Sequence, residues 1–123
     1  LALARRVRAR GLRRRLRWAL SLDEVGRGRS FGLRSPVSRP RHGVEMQIVR
    51  AARAAGVTVH WTRDSDTGNS DHREFQLLGL RGVKLGPRGD EPCRHTACDR
   101  ASRLEPGAFR RVRRAVERAL RAT

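Results

Sequence analysis

Tyrosine is absent from these 123 residues, methionine occurs once, and aromatic residues make up only 4% of the chain. Stacking platforms for single-stranded nucleic acid are therefore poorly supplied. No apolar run approaches the ~20 residues that a membrane-spanning helix requires, so no membrane span is expected. The opening stretch, LALARRVRARGLRRRLRWAL, lacks the uninterrupted apolar core of ~7–15 residues expected of a secretion signal. Because the chain starts with Leu1 and not methionine, this lack leaves the compartment open. Lysine is almost missing too: among 29 basic residues only Lys84 is not arginine.

What is present is positive charge. Against those 29 basic residues stand 12 acidic ones, for a formal net charge of +17. Such a field attracts polyanions whether or not binding them is the function. A near-total preference for arginine is also what GC-rich coding produces, which weakens the charge as evidence for a nucleic-acid partner. With 37% hydrophobic residues the chain can bury one modest core, as a single domain or a piece of one. A multidomain enzyme is excluded.

Residues 1–17 carry eight arginines and no acid, with Leu3, Val7, Leu12 and Leu16 near helical spacing despite a break at Gly11. This reads as a basic surface helix with one buried stripe. The run WALSLDEV, from Trp18 to Val25, looks like a buried strand whose C-terminal end delivers Asp23, the place where ligands sit in open α/β sheets. Glu24 would then point to the opposite face. Arg27 to His42 has the Gly, Ser and Pro content of a long loop. Val44, Ile48, Ala52 and Ala55 mark a helix closed by Gly56, and VTVHW (Val57–Trp61) a strand carrying a lone His60. Ser70 is a good N-cap for a helix through Phe75 and Leu78 ending at Gly79, with Asp71 and His72 in its first turn. Leu80 to Leu85 gives another strand and Gly86 to Pro92 a charged loop. Pro106 opens a last helix with Phe109, Val112, Val116 and Leu120 on one face.

The stretch Gly68–Asp99 holds every cluster with metal or acid–base chemistry except Asp23, and reads as half of a metal site. Its pieces GNSDHREFQLLGLRGVKL and CRHTACD, followed by LEPGAFRRVRRAVERAL and preceded by LSLDEVG, resemble the C-terminal half of the two-zinc aminopeptidases, the bacterial leucine aminopeptidase and glutaminyl cyclase-like metallopeptidases. The family order is Asn-Phe-Asp-Met-Val-Gly, Ser-Asp-His, Gly-Ile-Pro before a strand, Tyr-His-Thr, Asp, then a helix opening with Asp-Pro. Four pieces in the right order and spacing make the signal specific.

The resemblance implies an α/β fold, a mixed sheet flanked by helices, as a partial zinc-exopeptidase fold with three strands and about four helices. It implies that residues 1–123 are the C-terminal part of one zinc-peptidase catalytic domain, with a basic helix over 1–17 and the recognisable segment over 18–123. Asp23 and His95 stand where the family binds zinc, two ions per complete enzyme, and both donors suit that metal. Asp71 stands at the Ser-Asp-His aspartate, a carboxylate behind the metals or in the pocket. Asn69 takes a position where some members have a substrate-facing arginine, and Arg94 replaces a tyrosine that can hydrogen-bond the tetrahedral intermediate. Cys93 and Cys98 flank the histidine as in members with a disulfide there, and two free thiols are the alternative.

The implied chemistry is removal of an N-terminal amino acid from a peptide, by water activated at zinc with a glutamate as base. The upstream histidine, the bridging aspartate and the glutamate pair of the family are not found in this chain. It is therefore expected to be truncated and inactive alone. The compartment is secreted or periplasmic if a signal precedes Leu1. The alternatives are a non-catalytic remnant of the fold and an arginine-rich nucleic-acid binder.

Overall fold

The computed structural model describes residues 2–64 and 70–123, and a four-stranded sheet forms its centre. The strands are β1 (Ala19–Leu22), β2 (Ser30–Ser35), β3 (Thr58–Arg63) and β4 (Gly82–Pro87), in the order β1-β4-β2-β3. β1 runs parallel to β4 and β2 parallel to β3, while β2 and β4 are antiparallel, so the sheet is mixed. Four α-helices accompany it among the described residues: α1 (Ala2–Ala9), α2 (Glu45–Ala54), α3 (Asp71–Leu77) and α4 (Pro106–Arg121).

The strand register sorts the side chains into two unlike faces, because residues paired across neighbouring strands point the same way. One row reads Leu22, Leu85, Leu33 and Trp61, with Leu20, Val83, Phe31 and Val59 beside it. Helices α2 and α4 cover this apolar face. Val44, Ile48, Ala51 and Ala52 come from around α2, and Ala108, Val112, Ala115 and Ala119 from α4; all join Phe31, Leu33 and Leu85 in one buried cluster.

The opposite face carries the row Ser21, Lys84, Arg34 and Thr62. Helix α3 packs on its β4 side. A Cβ added at Gly82 would overlap the His72 carbonyl oxygen, and Gln76 Nε2 donates to the Gly82 carbonyl at 2.9 Å. This polar face is where the functional side chains gather.

Several expectations need correction. The segment read as one long loop contains β2, a central strand with Phe31, Gly32, Leu33 and Ser35 buried. Among the described residues the sheet therefore has four strands and not three. β1 is not a buried strand: among the described residues it pairs with β4 alone, and Leu22 is 48% exposed. Its apolar residues reflect packing on one face only.

The basic N-terminal segment breaks at Gly11, which takes φ 65° before a 3-10 turn at Leu12–Arg14. It buries Ala4, half-buries Val7, Leu12 and Leu16, and leaves Leu3 exposed, so the stripe is its packed side except at Leu3. Likewise α4 buries alanines and Val112, while Phe109 and Leu120 are about half exposed. Small side chains let α2 and α4 approach closely, and the bulky ones are pushed to the rim. No helix among the described residues is long and apolar enough to cross a membrane.

Candidate functional site

Asp23 lies one residue beyond β1, where its backbone N–H still donates to the Leu85 carbonyl at 3.0 Å. Pairing thus continues past the strand and fixes the residue. A Cβ at Gly86 would come within 2.9 Å of the Asp23 carbonyl oxygen, so only glycine lets β4 pass here. The chain then turns sharply. Glu24 adopts φ 57°, a left-handed conformation rare for a side-chain-bearing residue. Because of this turn Glu24 does not point away from Asp23, as strand alternation had suggested; both line the same cleft.

The turn is fastened to the start of α4. Glu105 N–H donates to the Gly26 carbonyl at 2.8 Å, and the Glu105 carboxylate accepts from Gly28 N–H at 3.2 Å. Arg111 Nη2 donates to the Gly28 carbonyl at 2.9 Å. Phe109 and Leu104 pack directly over Gly26, which explains where the half-exposed phenylalanine spends its apolar surface.

The Asp23 carboxylate is held by side chains from two other elements. Lys84 Nζ of β4 lies 2.8 Å from its Oδ2, and Ser70 Oγ, at the start of α3, donates to the same oxygen at 3.3 Å. Ser70 occupies the N-cap position, yet its hydroxyl serves Asp23 and makes no capping bond. Burial raises the Asp23 carboxyl, but the Lys84 hydrogen bond and charge, the Ser70 hydroxyl and the Arg94 charge outweigh it and hold the carboxyl below its ordinary value.

His95 arrives on a different loop. Cys93 and Cys98 are joined in a disulfide. Within that small ring His95 takes φ 58°, Thr96 Oγ1 donates to the Cys93 carbonyl at 2.7 Å, and Cys93 N–H donates to Glu91 at 3.2 Å. Arg103 anchors Glu91 at 2.7 Å. The result is an exposed imidazole on a stiffened loop.

Asp23 and His95 line one cleft of about 490 Å³. Arg94 and Glu24 also line it and pair at 3.4 Å, tying the two loops together. On the α3 side His72, only 3% exposed, meets Asp64 at 3.0 Å through Nε2, while its Nδ1 is buried with no partner among the described residues. Asp71 sits elsewhere: it is exposed and faces a separate groove beside α1 and β1. Asn69 lies outside the described residues.

The sequence assigned no role in the cleft to Lys84, Ser70, Glu24 or the His72–Asp64 pair. The one available signal was Lys84, a lone lysine among arginines, placed in a strand.

The donor chemistry suits zinc, which accepts carboxylate oxygen and imidazole nitrogen. Among the described residues, however, no three His, Cys, Asp or Glu side chains converge as a metal group. The residues present therefore fit as a contribution to a metal centre and not as a closed one.

The chain shares its fold with an aminopeptidase from Aneurinibacillus sp. strain AM-1, at a TM-score of 0.71 and 21% identity over 87% of this chain. It spans 26% of that protein's length. No curated protein matches its sequence. Residues 4–120, basic helix included, match peptidase family M28. The chain belongs to peptidase family M28.

Proposed function

We propose that this chain is the part of a metallo-aminopeptidase domain that supplies one wall of the active-site cleft. The observation that carries the reading is that Asp23 and His95, delivered by different elements, line a single cleft. In this reading each contributes to one of two zinc sites, whose other ligands and general base come from residues outside this chain. Zinc held there would supply Lewis-acid polarisation of the scissile carbonyl and ease the deprotonation of the attacking water by a base. The substrate is a peptide with a free N-terminus.

The chain's own residues hold and orient. Ser70 and Lys84 fix the Asp23 carboxylate, and the disulfide ring fixes His95. Arg94 stands in the cleft with its Nε on Glu24, leaving guanidinium N–H groups free to donate to an anionic oxygen. The chain alone lacks a complete donor set among its described residues and is expected to be inactive.

A non-catalytic relative of the fold is the second reading, favoured by the ammonium already seated on Asp23. Zinc content separates the two. In a longer protein that joins this segment to the upstream part of an M28 domain, His95→Ala should lower bound zinc and reduce kcat by at least about a hundredfold, as loss of a catalytic ligand does. Unchanged zinc stoichiometry and turnover would contradict the assignment.

A further inference from the structure

The Asp23 carboxylate, taken above as a metal-site group, already has a cation: Lys84 Nζ sits 2.8 Å from Oδ2. The lysine is placed there by the fold. Its side chain is only 12% exposed, and it projects from the polar face of β4 between Gly82 and Gly86. A Cβ on Gly86 would press on Lys84 Cε at 3.3 Å, so the flanking glycine makes room for the stem. Across the antiparallel pairing Arg34 stands directly opposite Lys84 and lines the same cleft. Two cations thus share one patch of sheet, and only the lysine meets Asp23. A compact ammonium on a flexible stem can do this and still withdraw, whereas a planar guanidinium fork locks onto a carboxylate.

A divalent cation at Asp23 would lie within a few ångströms of the ammonium, and like charges at that range repel strongly in a partly buried site. We propose that Lys84 is an internal counter-cation that holds Asp23 in its metal-free pose and competes with a divalent cation for the carboxylate. Lys84 then sets the metal affinity of this position, and loading requires the ammonium to swing away. This rests on the reading of Asp23 as a metal-site carboxylate, and the test keeps the two apart.

The test uses a longer protein that joins this segment to the upstream part of an M28 domain, titrated with Zn2+ by calorimetry and with Co2+ by its visible absorption, as wild type, Lys84→Met, Lys84→Gln and each combined with Asp23→Asn. Circular dichroism checks that each variant is folded, and Lys84→Gln serves if Lys84→Met is not. The expected result is at least about tenfold tighter metal binding on loss of the ammonium, a coupling of ordinary size, abolished by Asp23→Asn. Equal affinity with and without Lys84, but lost with Asp23→Asn, would overturn the counter-cation proposal and leave the Asp23 reading standing. Tighter binding that survives Asp23→Asn, or no metal-dependent change in any variant, would overturn both.

Discussion

Arg94 Nε lies 3.4 Å from Glu24 Oε1, so the residue preceding His95 is paired with the residue following Asp23. This single contact bridges the two loops that carry the candidate metal donors. Arg94 is about half exposed in this pair, and exposed ion pairs contribute little to stability.

Arg94→Ala should therefore lower stability by less than about 1 kcal/mol in urea unfolding. Its effect should appear instead in the relative placement of the loops, read as NMR shift changes at both His95 and Glu24. A stability loss of several kcal/mol, or shifts confined to one loop, would count against the bridging role.

The disulfide should matter more. Closing a ring of five-residue separation restricts the unfolded chain by about 2 kcal/mol in the loop-entropy account. Cys93→Ser with Cys98→Ser should cost about that much and raise hydrogen exchange of residues 93–98 while leaving the sheet protected. Exchange that rises equally throughout the sheet would show the ring to be part of the core instead.

Gly82→Ala tests how α3 is seated. The new methyl group would overlap the His72 carbonyl oxygen, which belongs to helix backbone and cannot rotate away. A loss of about 1–3 kcal/mol is expected from such overpacking. Gly89→Ala, with open space around the added carbon, should be nearly neutral by comparison.

Stability should fall in acid partly through Glu45. This residue is fully buried in the first turn of α2, where its carboxylate accepts from Arg41 N–H at 2.8 Å and pairs with the Arg41 guanidinium. Burial raises its carboxyl, but hydrogen bonds from Arg41, the backbone and Ser35 outweigh it, so the folded-state value lies below the ordinary 4.5. The stabilisation is present above about pH 4.5 and is lost as pH falls through the lower folded value. Glu45→Gln should be less stable at neutral pH and show a flatter urea midpoint against pH below 4.5. Parallel curves would exclude this role.

The sequence shows most of the helices and three of the strands, because β1 is marked by its apolar run and α2, α3, α4, β3 and β4 carry clear periodicity or end at Gly56 and Gly79, both with positive φ. β2 was hidden. Its run SFGLRS sits among Gly, Ser and Pro and carries Gly32, packed against the Pro87 carbonyl, where a strand would have a side chain, so composition resembled a loop. On α4, Val112 and Val116 pack on the core as expected, whereas Phe109 and Leu120 stand at the rim because close approach to α2 favours alanine. Asp23 and His95 are singled out by the motif resemblance, and the cleft that both line is a product of the fold. Lys84 was not legible as a partner of Asp23, since that contact depends on the β1–β4 register, which no local pattern encodes.

The central claim, that Asp23 and His95 serve a common zinc cleft, is tested most directly by anomalous diffraction at the zinc edge. The sample is a crystal of a longer M28 protein containing this segment. The account predicts anomalous peaks at about 2.0–2.2 Å from the Asp23 carboxylate and from the His95 imidazole, inside one cleft. Zinc bound away from both side chains, with Lys84 still seated on Asp23, would contradict it.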